Sequence, residues 1–134
     1  MTIDFNKYTE FVDAVTSDSS KDFVSLADRL GDLDRQGANI ERLLTAAVGI
    51  SAEGGEFTEI VKKIAFQGKE LTEDTKTHMV KELGDVFWYI AQACNALDLD
   101  FKTIVVTNMI KLAARYPGGE FDVFNSENRA EGDI

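Results

Sequence analysis

The sequence predicts an all-α protein, a helical bundle of about four to five helices. Three observations predict it. Apolar residues recur at helical spacing along most of the chain. No alternating apolar and polar pattern runs longer than a few residues, so nothing reads as a strand. One proline and ten glycines are spread over 134 residues, which leaves room for long helices.

Each element follows from local signals. Residues 4–16, "DFNKYTEFVDAVT", place Tyr8, Phe11, Val12 and Val15 on one helical face, and "SDSS" at 17–20 breaks the pattern. Phe23, Leu26, Ala27 and Leu30 predict a second short helix ending at Gly31, with "GDLDRQG" as a loop. Asn39 is placed to cap a long helix from about Ile40 to Phe66, whose apolar face includes Leu43, Ala47, Ile60 and Ile64. Gly68 opens a connecting loop. The next helix runs from about Thr75 to Ala96. After the "LDLD" turn, Asp100 caps a helix over 101–115, stopped by Tyr116-Pro117-Gly118-Gly119. The tail, about 121–134, is polar and acidic, and reads as disordered or draped over a partner.

The length fits a single domain, 1–134, with a motif-bearing core of about 40–117. Cys94 is the sole cysteine, so no intrachain disulfide forms, and it reads as a core thiol. The first residues carry no basic apolar leader, and no window is long and apolar enough to span a membrane. A cytoplasmic location is the expectation. The net charge of −10 argues against nucleic acid and anionic membranes as partners, because both require clustered cations.

Two carboxylate pairs stand out. Glu53 and Glu56 are three residues apart, as are Glu82 and Asp85, so each pair projects from one helix face. The helix over 75–96 reads as buried nearly all round, with Leu83, Val86, Phe87, Ile90, Ala91, Cys94 and Leu97 leaving a narrow polar strip for Glu82 and Asp85. Trp88 reads as a core residue, with base stacking as the second possibility. Two exposed acidic faces would explain either pair alone. Gly54, Gly55 and Gly84 sit between the acids, however, and let a metal, a phosphate or another backbone come close. Four acids converging between two helices require a counter-ion. A divalent cation with hard oxygen ligands, Mg²⁺ or Mn²⁺, suits them. Zinc would require a cluster of Cys and His that Cys94 and His78 cannot supply. His78 reads as an ordinary helix-surface residue.

Asn108, Lys111 and Arg115 follow at i, i+3 and i+7, which puts an amide and two cations on one face of the last long helix. Such a face is either solvated or suited to phosphate oxygens. Tyr89 lies one turn after Asp85 on the same side. Lys62 and Lys63 read as a solvated pair.

"GISAEGGEFTEIVKK" followed by "KELGDVFWYIAQACNALDLDFKTIVVTNMIKLAARYP" resembles the MazG-like family of all-α nucleoside triphosphate pyrophosphohydrolases, in its small single-domain phage and bacterial form. The family signature, Glu-x-x-Glu and then Glu-x-x-Asp, falls on Glu53, Glu56, Glu82 and Asp85. The later Asn-x-x-Lys-x-x-x-Arg-Tyr-Pro falls on Asn108 to Pro117. The resemblance covers about residues 43–117 and implies the all-α NTP pyrophosphatase fold. It implies Mg²⁺-dependent hydrolysis of an NTP or dNTP to the monophosphate and pyrophosphate. The four acids would be catalytic and hold metal, with Glu56 a candidate acceptor of the water's proton. Tyr89, Asn108, Lys111 and Arg115 would bind substrate. It further implies a homo-oligomer, dimer or tetramer. Two alternatives stay open: a non-catalytic helical interaction protein, and a dUTPase-like or phosphoribosyl-ATP pyrophosphohydrolase member of the same superfamily.

Overall fold

The computed structural model describes residues 3–128. Among them the chain forms α1 (Phe5–Val15), a 3₁₀ turn (Asp18–Ser20), α2 (Phe23–Arg35), α3 (Ile40–Gln67), α4 (Glu73–Ala96), α5 (Phe101–Arg115) and α6 (Val123–Glu127), with no strand. The all-α prediction holds, with five substantial helices and a short sixth. Among the described residues no helix is long and apolar enough to cross a membrane.

Short polar side chains start most of these helices. Asp4, Asp22, Thr72, Asp100 and Asp122 each accept a backbone N–H from the first turn that follows, satisfying a donor the helix itself cannot. The hydrogen bond from the Ser25 backbone, and then that from its side chain, hold the Asp22 carboxyl below its ordinary range. The Thr72 cap also explains why α4 begins before the expected Thr75. Thr72 Oγ1 accepts from the Thr75 N–H at 3.2 Å, and buried Thr75 donates its own hydroxyl to the Glu70 carbonyl.

The chain divides into two compact units, Met1–Glu41 and Arg42–Ile134. In the first, Lys21 joins the 3₁₀ turn to α1 by donating to the Asp13 carbonyl at 2.9 Å, while its carboxylate lies 3.6 Å away. The expected stop at Gly31 is not where α2 ends. Glycine costs only about 1 kcal/mol inside a helix, and Leu33 continues the apolar stripe past it. An Arg35–Asp32 ion pair supports the last turn. The helix ends instead at Gln36-Gly37, where Gly37 takes a φ of 83° that other residues resist.

In the second unit α3 and α4 form an antiparallel hairpin. The Gly49 backbone lies against the Tyr89 ring. Glu53 meets Glu82 and Asp85, and Ile60 shares a groove with His78. Contact positions rise along α3 as they fall along α4. On α4 they recur at steps of four and three residues, and on α3 at four and seven, the spacing of a helix–helix seam. Ala46, Gly49 and Ile60 on α3 and Thr75, Glu82 and Cys94 on α4 are the buried positions of the pair. Phe87 reaches α5 through a tilted ring contact with Phe101, centroids 5.6 Å apart. Tyr116 contacts Phe121 in the segment leading to α6.

Gly49 sets how closely the hairpin closes. A Cβ there would overlap the Cγ, Cδ1 and Cε1 atoms of Tyr89, a ring that cannot fold out of the way like the end of a flexible chain. Gly49→Ala gains about 1 kcal/mol of helix propensity but faces an overpacking cost of about 1–3 kcal/mol. The expected result in a thermal melt is a lower Tm. An unchanged or raised Tm would show that the hairpin does not depend on this close approach.

Two expectations about burial are corrected. The helix over 75–96 is not buried all round, and Trp88 is not a core residue. Leu83, Phe87, Trp88 and Leu97 are all exposed, Trp88 to 54%. Only one side of α4 faces α3. Cys94 is buried, as a core thiol should be. The tail, expected to be disordered or draped over a partner, contains the short helix α6 with Asp122 as its cap. Residues 129–134 of that tail lie outside the described residues.

Candidate metal centre

The seam that holds α3 to α4 carries the acids. Glu53, Glu82 and Asp85 each offer a carboxylate oxygen, and these oxygens lie within 4.8 Å of one another. Their burial is graded: Glu82 is buried at 6% exposure, Glu53 is half-buried and Asp85 is exposed. The cluster therefore sits at the lip of the seam, with its floor inside the helix pair and its open side toward solvent.

Crowding of like charge shows in Glu53. Burial, first, pushes its carboxyl above the ordinary value, and the charges of Glu56, Asp85 and Glu82 push the same way. The Glu82 carboxyl, as a hydrogen-bonding neighbour, adds a last, smaller push in the same direction. Glu82 has one further partner. His78, one turn earlier on α4, places Nε2 2.9 Å from Glu82 Oε1. Reading His78 as an ordinary surface residue is thus incomplete. Its side chain is half exposed, but the ring edge is bonded to the most buried acid of the site. The four-residue spacing of His78 and Glu82 was the signal for this contact.

The donor set fits a hard divalent cation. It consists of carboxylate oxygens only, with one member already desolvated and another whose negative charge its neighbours oppose. Oxygens on opposite sides of a shared Mg²⁺ lie about 4 Å apart, so the three acids need little rearrangement to surround one.

The remaining candidates fall around this centre. Glu56 is exposed and stands outside the three-acid group. It lines a neighbouring groove of ≈ 300 Å³ with Glu59, Ile60, Lys63, Lys69 and His78. Lys62 and Lys63 both engage Glu59, and the hydrogen bonds from Lys62 and then Lys63 hold the Glu59 carboxyl low. Tyr89 packs on Gly49 and meets Trp88 edge-on, centroids 4.8 Å apart. Asn108 and Lys111 line a second groove of ≈ 330 Å³ with Leu99, Thr103, Ile104 and Thr107, so these two share one side of α5. None of the four signature acids lines that groove. Arg115 is the basic residue of the last turn of α5, where a cation also favours the helix dipole.

The family model described as MazG nucleotide pyrophosphohydrolase domain matches residues 41–119. That span contains all four signature acids and the Asn108–Arg115 face. The Gene 37 protein of Mycobacterium phage L5 is 37% identical over 91 residues, covering 66% of this chain and 75% of the phage protein. No solved structure matches.

Proposed function

This chain belongs to the MazG nucleotide pyrophosphohydrolase domain family, and on that premise we propose that it hydrolyses a nucleoside triphosphate, NTP or dNTP, to the monophosphate and pyrophosphate with Mg²⁺ as cofactor. The observation that carries the proposal is the three-carboxylate cluster at the mouth of the α3–α4 seam. A bound divalent cation supplies Lewis-acid polarisation of the phosphoric anhydride and lowers the pKa of water. Glu53, Glu82 and Asp85 hold it. Glu56, exposed beside them, is the acid best placed to accept the attacking water's proton. Asn108, Lys111 and Arg115 take the phosphate oxygens, and Tyr89 orients them. Mn²⁺ suits the same oxygen donors.

The working form in this proposal is a homo-oligomer, dimer or tetramer. α5 has no buried residue in a single copy, and Ile104, Val105, Val106, Met109 and Ile110 are exposed along it. Together with Phe87 and Trp88 of α4 they make an apolar surface that a second copy of the chain would cover. The net charge of −10 keeps nucleic acid and anionic membranes out of the proposed set of partners.

The test is a panel of NTPs and dNTPs with Mg²⁺, assayed for pyrophosphate. The expected outcome is pyrophosphate and monophosphate in equal amounts from at least one of them. Orthophosphate as the product would overturn the pyrophosphohydrolase reading. Turnover confined to dUTP or to phosphoribosyl-ATP would move the chain to those branches of the superfamily. Inactivity with every nucleotide would favour the helical interaction protein.

A further inference from the structure

We propose that His78 is a positioning residue for the metal centre. It fixes the carboxylate of Glu82 so that one oxygen is tied within α4 and the other is presented to the cation. The inference rests on the reading of Glu53, Glu82 and Asp85 as metal-holding acids, and goes beyond it by assigning a part to a residue outside the family signature.

Glu82 is the most buried of the three acids, so its oxygens have the least water to satisfy them. His78 serves one of them, with Nε2 2.9 Å from Oε1. His78 and Glu82 are one turn apart on the same helix, so this contact is independent of α3 and of the acid that faces Glu82 across the seam. When the centre is loaded, His78 therefore keeps its hold on Oε1. A carboxylate held by one oxygen cannot rotate freely about its last bond. The other oxygen would then be the one Glu82 offers to a bound cation. The Nε2–H tautomer and the imidazolium both donate at this position, so the role does not require His78 to change its charge.

The ring also borders the groove that Glu56, Glu59, Ile60, Lys63 and Lys69 line. A histidine there could instead touch substrate, and the test must separate the two roles. The measurement is Mn²⁺ affinity of the full chain without nucleotide, from the free-Mn²⁺ resonance signal, for wild type, His78→Leu and His78→Gln. The Gln amide nitrogen reaches roughly as far as Nε2 and donates a hydrogen bond. Removal of a group that orients a metal ligand typically weakens metal binding by about tenfold to a hundredfold. His78→Leu is expected to show that loss, and His78→Gln to recover the wild-type affinity. In the activity assay, saturating Mn²⁺ should bring His78→Leu back toward the wild-type kcat with nucleotide KM unchanged. Wild-type Mn²⁺ affinity in His78→Leu would overturn the inference and leave the metal centre standing, as would equal weakening in the Leu and Gln variants. Absence of Mn²⁺ binding by the wild type would overturn the metal centre itself. Since the His78 side chain is half exposed, both variants should keep the helical content of the wild type.

Discussion

Replacing Glu53 by glutamine is expected to move stability and activity in opposite directions. In the metal-free protein Glu53 is held above its ordinary value by burial and by three neighbouring carboxylates. The folded state therefore binds this proton more tightly than the unfolded chain does. Its stabilising effect is fully present below the ordinary Glu value and is lost as pH rises through the raised one. At neutral pH the ionised group opposes folding, and Glu53→Gln removes that opposition with almost no change of shape. Its metal-free Tm should exceed that of the wild type at pH 7, and the gap should close toward pH 4. Mg²⁺ should reverse the order. A ligand that binds only the folded state stabilises by about 2.7 kcal/mol at a hundred times its Kd, and only the wild type, with its full set of charges, should show that rise. Glu82→Ala should lose it as well. Turnover of Glu53→Gln should fall by on the order of a hundredfold or more, the scale seen when one group aimed at developing charge is removed. A Glu53→Gln protein that melts like the wild type with and without Mg²⁺, and turns over at the same rate, would remove Glu53 from the centre.

Placing a charge on α5 is expected to take the assembly apart. Ile110 is 66% exposed in one copy, and Met109 beside it 63%. Burying an isoleucine against a partner contributes about 1.5–3 kcal/mol. Across a two-fold axis the same residue counts once in each copy. Ile110→Asp loses that contribution and adds the cost of desolvating an unpaired carboxylate in an apolar contact. Sedimentation of the wild type should show a dimer or tetramer, and sedimentation of Ile110→Asp a monomer. The wild-type Tm should rise with protein concentration and the variant's should not. A monomeric wild type would refute the assembly. An oligomeric Ile110→Asp would place the interface on another face.

The parts of this molecule that were legible in the sequence are those decided locally. The helix over 101–115 was read with its observed ends because Asp100 and the Tyr116-Pro117-Gly118-Gly119 stop act within a few residues of it. The second helix was ended too early. A glycine such as Gly31 is only a weak breaker, while Gly37 terminates by a left-handed conformation that sequence does not display. Glu53, Glu82 and Asp85 could be grouped from spacing because each pair shares a helix face. Glu56 has the same spacing from Glu53 as Asp85 has from Glu82, yet it lies outside the group. Which acid turns inward depends on the facing helix. The four-residue spacing of His78 and Glu82 makes them neighbours on α4, but spacing alone does not say whether the half-exposed ring turns to the acid or to water. Trp88 and Phe87 are exposed although their residue types suit a core, because apolar content does not say which side of a helix another element covers.

The close approach of Gly49 to Tyr89 has a consequence for how this hairpin can diversify. Sliding α3 by one turn along α4 would set a bulkier residue, such as Thr45 or Glu53, against the aromatic ring, where even one added methyl does not fit. The pair works as a key that admits one reading frame between the helices, and it is cut one turn away from the acids. On α3, alignment and chemistry are therefore written at separate positions. A descendant chain could trade its carboxylates for other groups and still inherit two helices locked in phase, ready to present whatever replaced them.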